Sequence, residues 1–203
     1  MANVSYVNGF SPVETFDGTK YNGKVKPYIV GTGDNTALFI GDLVNCAGGV
    51  AVVTIQSDLK GFALPICAQS AATTTTAAGV IVGFEPNRDN LGLMYRLAST
   101  QRVVYVCDDP MMILEAQEDG AATPIPLTSG SYNINIIVAA GNTITGQSGM
   151  QLDSYTAATN ATFPIRLIRP VPVVNNDNAG SLAYTKWRCM INNGAFKTGI
   201  LGV

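Results

Sequence analysis

Short apolar runs, separated by clusters of Gly, Pro, Asn and Asp, recur along the whole chain. The runs are rich in Val, Ile, Tyr and Thr, which are enriched in β-strands, and the clusters between them are typical of turns. In residues 183–191, AYTKWRCMI, polar and apolar side chains alternate with the period of a half-buried strand. The pattern predicts strands near residues 26–30, 37–44, 50–56, 78–84, 93–99, 102–107, 111–117, 132–139, 164–171 and 183–191.

Helical patterning is almost absent from the chain. One turn of helix fits residues 114–119, and no run sustains a 3.6-residue period over three turns. We therefore expect an all-β fold of antiparallel strands, arranged as a barrel or as a jelly-roll-like sandwich. The strand pattern alone does not decide between these two arrangements.

The ends of the chain differ from its middle. Residues 1–25 contain three turn pairs, Asn8-Gly9, Asp17-Gly18 and Asn22-Gly23, and are predicted to form an irregular N-terminal arm. Residues 26–191 are predicted to form a single β domain, and residues 192–203 an apolar C-terminal tail without regular pattern. Within the domain, residues 69–79, QSAATTTTAAG, mark a candidate subdomain break, read either as a flexible loop or as an edge strand.

Composition narrows the classes of function. Of the 203 residues, 47% are hydrophobic and 13% are charged. Disordered chains have the opposite balance, so we expect this chain to fold. So little charge indicates that part of the surface is used in contacts with partners. The net charge of −2 and the lack of a basic run argue against nucleic-acid binding, and no apolar run reaches the roughly 18 residues of a membrane span.

The cysteines and the N-terminus point to a reducing compartment. The start, MANVSYVNGF, lacks the basic and apolar regions of a signal peptide. Cys46, Cys67, Cys107 and Cys189 are far apart in sequence and form no C-x-x-C pair. We expect them to be reduced, buried thiols.

The segment VVYVCDDPMMILEAQED, residues 103–119, holds two adjacent aspartates between apolar runs. Asp108-Asp109-Pro110 fits a turn, because Asp side chains bond nearby backbone N–H groups and Pro fixes φ at a turn corner. The alternative is a catalytic or metal-binding carboxylate cluster. That alternative requires Asp108 or Asp109 to converge with Glu115 or Glu85.

Other chemistry has little support in the sequence. The chain has no histidine, the commonest general base and metal ligand. Asp34 and Asp42 flank one predicted strand and could ligate Ca²⁺, but they lack EF-hand spacing. We therefore predict a protein that is not an enzyme, with no catalytic residue, no metal site and no cofactor.

The order of several segments resembles a known family. VNGFSPV, YNGKVKPYIV and DNTALFIGDLV are similar to the start of the cement, or head decoration, proteins of tailed bacteriophages. Residues 79–119 resemble the central block of that family, including the DDP turn, and residues 141–168 and 186–193 resemble its ending. The resemblance implies a non-enzymatic, β-rich protein bound to the outside of an assembled phage head, where it bridges major capsid subunits and stabilises the shell.

The resemblance also implies partners and a location. The partner is the major capsid protein, with self-association as a dimer or trimer on the shell, and the protein is made in the host cytoplasm and located on the virion exterior. Apolar side chains in the two ends are our candidate capsid or subunit contacts; the alternative is that the ends pack on their own domain. The candidates are Tyr6, Phe10, Pro12, Phe196, Ile200 and Leu201.

A second class of function remains open at this point. Another virion β-module, in a tail or baseplate, would fit the same fold and composition. If it bound carbohydrate, it would need an exposed aromatic platform. The candidates for such a platform are Tyr95, Tyr132, Tyr155 and Tyr184.

Overall fold

A computed structural model describes residues 3–72, 76–121, 123–176, 183–199 and 201–202. These residues form strands and two short 3-10 turns, Leu127–Ser129 and Ser154–Thr156, so the all-β prediction is confirmed. The strands are β1 (Ser11–Thr15), β2 (Lys26–Val30), β3 (Leu43–Val52), β4 (Ala63–Gln69), β5 (Gly79–Phe84), β6 (Arg102–Cys107), β7 (Met112–Gln117), β8 (Asn133–Ile134), β9 (Ile136–Ile137), β10 (Gln151–Leu152), β11 (Ile165–Pro170) and β12 (Lys186–Ile191). No helix in these ranges is long and apolar enough to cross a membrane.

Five strands close a barrel in the order β2-β4-β3-β5-β6. The pairs are antiparallel except for β2 and β4, which run parallel with Ile29 opposite Ile66. The long strand β3 pairs with β4 on one side and with β5 on the other, and its register with β4 shifts between Cys46 and Val50. Such a bulge bends a strand, as closure of a small barrel requires.

A second, open sheet has the order β1-β7-β12-β11-β8, and all of its pairs are antiparallel. β9 and β10 form a separate antiparallel pair. The largest apolar cluster joins the barrel to this sheet, because Leu43, Val80 and Cys107 of the barrel share it with Leu114 and Trp187 of the sheet. The structure thus combines the barrel of one predicted arrangement with an additional packed sheet.

The arm predicted over residues 1–25 contains the edge strand β1, which pairs with β7. Just before β1, the chain packs against the barrel where Gly9 and Gly41 meet. Both residues have positive φ, and a Cβ on Gly9 would lie 2.5 Å from the Gly41 carbonyl oxygen. Only glycine fits this approach, and it lets the Phe10 N–H donate to that same oxygen at 2.9 Å.

Two predicted strands are not formed as expected. Residues 37–42 make only isolated bridges at Leu38 and Ile40, because a turn centred on Gly41 interrupts them, and only the last two residues of the predicted run 37–44 belong to a strand, as the start of β3. Residues 93–99 make one bridge, through Arg96, and otherwise form a loop. The strand predicted over 132–139 is split into β8 and β9, which pair with different partners.

The predicted break over residues 69–79 lies between β4 and β5. Residues 73–75 are outside the described ranges. Of the neighbouring positions, Ala77 forms an isolated parallel bridge with Gly194 of the C-terminal tail.

Candidate functional site

The acidic segment forms a turn, as predicted from its residue types. The Met112 N–H donates to the Asp109 carbonyl at 3.0 Å, and the Met111 N–H donates to the Asp109 carboxylate at 2.9 Å. The strands on either side do not pair with each other, since β6 belongs to the barrel and β7 to the open sheet. The turn is therefore the corner that joins the two sheets and not the corner of a hairpin.

The two aspartates face different cations. Asp108 is almost fully buried and accepts hydrogen bonds from Lys26 Nζ at 2.8 Å and from the Tyr28 hydroxyl at 3.0 Å. Asp109 accepts from Lys24 Nζ at 3.1 Å. The backbone N–H of the turn and then this lysine lower the pKa of Asp109. Both carboxylates are thus engaged in holding the corner.

The other acids of the proposed cluster lie elsewhere. Glu115 is on β7, opposite Ser11 and Arg188, about 10 Å along the strand from its first residue. Glu85 bonds through its N–H to the Val103 carbonyl, near the start of β6, whereas Asp108 follows the end of that strand. The convergence required of a carboxylate site is not observed for these residues. Within the described ranges, no three His, Cys, Asp or Glu side chains are grouped closely enough to hold a metal ion.

The two aspartates considered as Ca²⁺ ligands have separate protein partners. Asp34 pairs with Arg96 at 3.3 Å. Asp42 is fully buried and accepts from the Phe39 N–H at 2.9 Å and from the Ser148 hydroxyl. Burial raises the pKa of Asp42.

Glu118 is the most perturbed carboxyl of the acidic segment. Its side chain is fully buried and accepts from the Ile125 N–H at 2.8 Å and from the Thr185 N–H at 3.2 Å. Burial raises the pKa of Glu118 to about 7, although the two backbone N–H groups oppose the shift. These bonds tie the chain after β7 to the segment before β12, which is a structural role.

A pH dependence of stability follows from Glu118. The folded state holds the proton up to about pH 7, whereas the unfolded state releases it near the usual value of 4.5. The free energy of unfolding should therefore fall by about 3 kcal/mol as the pH rises from 4.5 to 7.5. Denaturant unfolding at several pH values measures this slope, and no histidine titrates in the same window.

The matched variant is Glu118→Gln. It should be less stable than the unmodified protein at pH 4.5, because its amide nitrogen must face a backbone N–H donor. It should also lose most of the pH slope, leaving the smaller slope of the same sign that Asp42 contributes. An unchanged slope in this variant would show that Glu118 does not carry the effect.

The N-terminal candidate contacts have different positions. Tyr6 is 65% exposed, its N–H donates to Gln117 Oε1 at 2.8 Å, and the Lys186 ammonium lies 5.9 Å from its ring centre. Pro12 is partly exposed in β1. Phe10 is only 1% exposed and belongs to the main apolar cluster. The prediction of Phe10 as a surface contact is therefore wrong, because the glycine approach described above turns it into the core.

The C-terminal candidates are mostly on the surface. Phe196 is 52% exposed and Leu201 is 64% exposed. The Leu201 carbonyl accepts a hydrogen bond from the Arg166 guanidinium, which fastens the tail to β11. Ile200 lies outside the described residues.

The four candidate platform tyrosines do not present four open rings. Tyr155 is exposed, whereas the other three are partly buried. Tyr95 stacks on Phe39 with the ring centres 4.9 Å apart. Among the four, Tyr155 is thus the one ring that is freely available for stacking on a sugar.

The four cysteines are free thiols, as predicted. Burial raises the pKa of Cys107 to about 11 and that of Cys67 to about 12, which keeps both protonated and unreactive. The prediction of burial is wrong for Cys46, which is exposed at the start of the β3 bulge.

Sequence reasoning missed two buried arginines, Arg96 and Arg102. The available signal was a single arginine next to an apolar run, in LMYRLAS and in RVVYVC. When such an arginine is buried, its N–H groups must find hydrogen-bond acceptors in the protein or face a cavity.

No family model matches the chain, and neither a curated protein nor a solved structure matches it.

Proposed function

We propose that this protein is a capsid cement, or decoration, protein that binds the outer surface of an assembled phage head and bridges neighbouring major capsid subunits. The order of sequence segments that resembles this family is the starting point. An all-β fold of low charge is compatible with such a role. The same surface patches would support self-association as a dimer or trimer on the shell.

The observation that carries the proposal is the placement of exposed apolar side chains at both ends of one sheet. Tyr6 lies beside Gln117 and Lys186, where β7 ends and β12 begins. Phe196 lies near Ile191, where β12 ends. The two ends of β12 are about 17 Å apart at the usual rise of a strand. One molecule thus offers two separate apolar contacts, which is what a bridging protein needs.

Two weak contacts are enough on a repeating surface. Once the first patch is bound, the second meets its target at a high effective concentration, so the overall affinity exceeds that of either contact. The slightly negative net charge of −2 suits the shell exterior better than contact with packaged DNA.

The N-terminal contact can be tested with the double variant Val4→Ser/Tyr6→Ser. Val4 and Tyr6 are both largely exposed, so the protein should still fold. We expect at least about a tenfold loss of affinity for assembled shells of the phage that encodes the chain, because apolar anchors dominate such contacts. Co-sedimentation of labelled protein with purified shells measures the affinity.

The matched control is Ile144→Ser/Tyr155→Ser, which removes two equally exposed side chains outside the N- and C-terminal segments. It should bind shells as the unmodified protein does. Substitution is preferable to deletion of residues 1–12, because that deletion also removes buried Phe10 and part of β1. Equal loss in both double variants, or no loss in either, would contradict an N-terminal contact.

A further inference from the structure

A cavity of about 230 Å³ lies beside the first residue of β6, at the opposite end of that strand from the acidic corner. It is lined by the segments that follow β3 and β5 and by the start of β6. We call it the Arg102 pocket, after the arginine in its wall. Among its lining residues are Ile55, Glu85, Arg88, Leu93, Leu97 and Arg102.

Arg102 is unusual because its charge is buried without a close counter-ion. The residue is 5% exposed, and its guanidinium lies 5.9 Å from the ring centre of Phe84. Among the described residues, its side chain makes one hydrogen bond, a long one of 3.4 Å from Nη2 to the Leu93 carbonyl, and its Nε has no acceptor there. None of the ion pairs formed by the described residues includes Arg102.

The nearby acids are already engaged. Both oxygens of Glu85 accept hydrogen bonds, one from the Ser57 hydroxyl and one from the Asp58 N–H at 3.0 Å. Asp58 in turn pairs with Arg88. The guanidinium of Arg102 therefore keeps hydrogen-bond donors that these acids do not use, including a buried Nε–H.

We propose that the Arg102 pocket binds a carboxylate with a short aliphatic stem. The planar guanidinium matches a carboxylate in geometry and charge, and Ile55, Leu93 and Leu97 provide apolar walls for the stem. The cavity is smaller than the roughly 300–1,000 Å³ of drug-sized sites, which suits a ligand of a few carbon atoms.

The charges around the pocket favour a singly charged ligand. Arg88 already pairs with Asp58, and Glu85 and Asp89 are also in the lining, so a doubly charged phosphate would be repelled more strongly by these acids than a single carboxylate. The same chemistry is offered by a free aliphatic acid and by a glutamate side chain of a protein partner. The site does not depend on the proposed binding to shells.

The test is an NMR titration of the whole protein that follows the arginine Nε–H signals. Butyrate should shift the Arg102 signal in a saturable way, while butyramide and phosphate at equal ionic strength should not. The signal of Arg169, an exposed arginine of β11, is the internal control and should stay in place. An Arg102 signal that does not move, or moves equally with chloride, would overturn the proposal.

Variants identify the group responsible. Arg102→Met should weaken butyrate binding at least about tenfold. Arg102→Lys should weaken binding less, because lysine keeps the positive charge but lacks the planar pair of N–H donors that matches a carboxylate. Arg169→Met is the matched control and should bind butyrate normally. If Arg102→Met fails to fold, the wild-type titration still decides the question; if it folds and binds butyrate with full affinity, the proposal is wrong.

A second arm separates the two sources of carboxylate. The peptide acetyl-Gly-Glu-Gly-amide is compared with its Gln counterpart. Saturable binding of the Glu peptide alone supports a protein-borne carboxylate, whereas saturable binding of butyrate without the Glu peptide supports a free acid. Binding of neither probe rejects the site.

Discussion

Replacing Arg96 with methionine is expected to lower the free energy of unfolding by about 3–5 kcal/mol, the scale of a broken buried ionic network. Arg96 is fully buried, and its guanidinium is surrounded by oxygens of two loops. Nη2 donates to the carbonyls of Gly31 and Asp34, each at 2.8 Å, and Nε donates to the Thr100 carbonyl at 2.9 Å. Methionine fills much of the same volume but donates no hydrogen bond.

The loss of stability in Arg96→Met arises from buried oxygen atoms that lose their hydrogen-bond donors. Besides these three carbonyls, Nη1 donates to the Thr36 carbonyl and pairs with the Asp34 carboxylate. A buried acceptor without a donor costs about 1–3 kcal/mol, and partial relaxation of the loops recovers some of that sum. The loops should therefore lose their fixed shape before the barrel unfolds.

Denaturant unfolding measured by circular dichroism tests this expectation, with Arg169→Met as the matched control. Arg169 is exposed, so its loss should change stability by less than about 0.5 kcal/mol. A loss below about 1 kcal/mol for Arg96→Met would mean that water or neighbouring groups satisfy the carbonyls equally well.

Replacing Trp187 with alanine is the second large effect, also about 3–5 kcal/mol. Trp187 lies on β12 between Ala116 of β7 and Pro170 of β11, and its side chain is fully buried in the cluster that joins the sheet to the barrel. Removing it leaves a cavity at the centre of that contact. The cost is therefore the lost burial plus the empty volume.

The variant Trp187→Phe separates the contribution of side-chain volume to stability from any contribution of a hydrogen bond by the indole. The indole Nε1 has no acceptor among the described residues, so phenylalanine loses no hydrogen bond and should cost less than half as much as alanine. Circular dichroism again provides the measurement, since the chain has a single tryptophan and both variants lose its fluorescence. Equal losses in the two variants would indicate that Nε1 has an unrecognised partner.

The local pattern of apolar and turn residues was sufficient to predict most of the strands. β2, β5 and β6 match predicted runs closely, because β-branched and aromatic residues bounded by turn residues define a strand without reference to its neighbours. β4 was missed because Ala63–Gln69 contains Pro65 and few β-branched residues. It is a strand because β3 pairs along it, and that pairing is a tertiary effect.

The errors near the candidate contacts have a similar origin. Phe10 looked like an anchor of a free arm because no strand pattern surrounds it. Its burial depends on the close approach of Gly9 and Gly41, which are 32 positions apart in sequence, and no local rule indicates that approach. Arg96 was placed in a strand for the same reason, because its acceptors on residues 31–36 become neighbours only after folding.

The acidic corner was predicted correctly because its chemistry is local. The Asp109 side chain bonds the N–H two residues ahead, and the adjacent proline restricts the backbone. That β6 and β7 belong to different sheets could not be predicted, since both read as ordinary strands.

The most direct test of the proposed bridging role compares binding to assembled shells with binding to the unassembled major capsid protein of the same phage. A bridging protein needs a junction between subunits, and that junction exists only in the shell. We predict saturable binding to shells at least about tenfold tighter than binding to the lone subunit, together with greater resistance of decorated shells to heat. Equal affinity for both forms, or no binding to shells, would contradict the account.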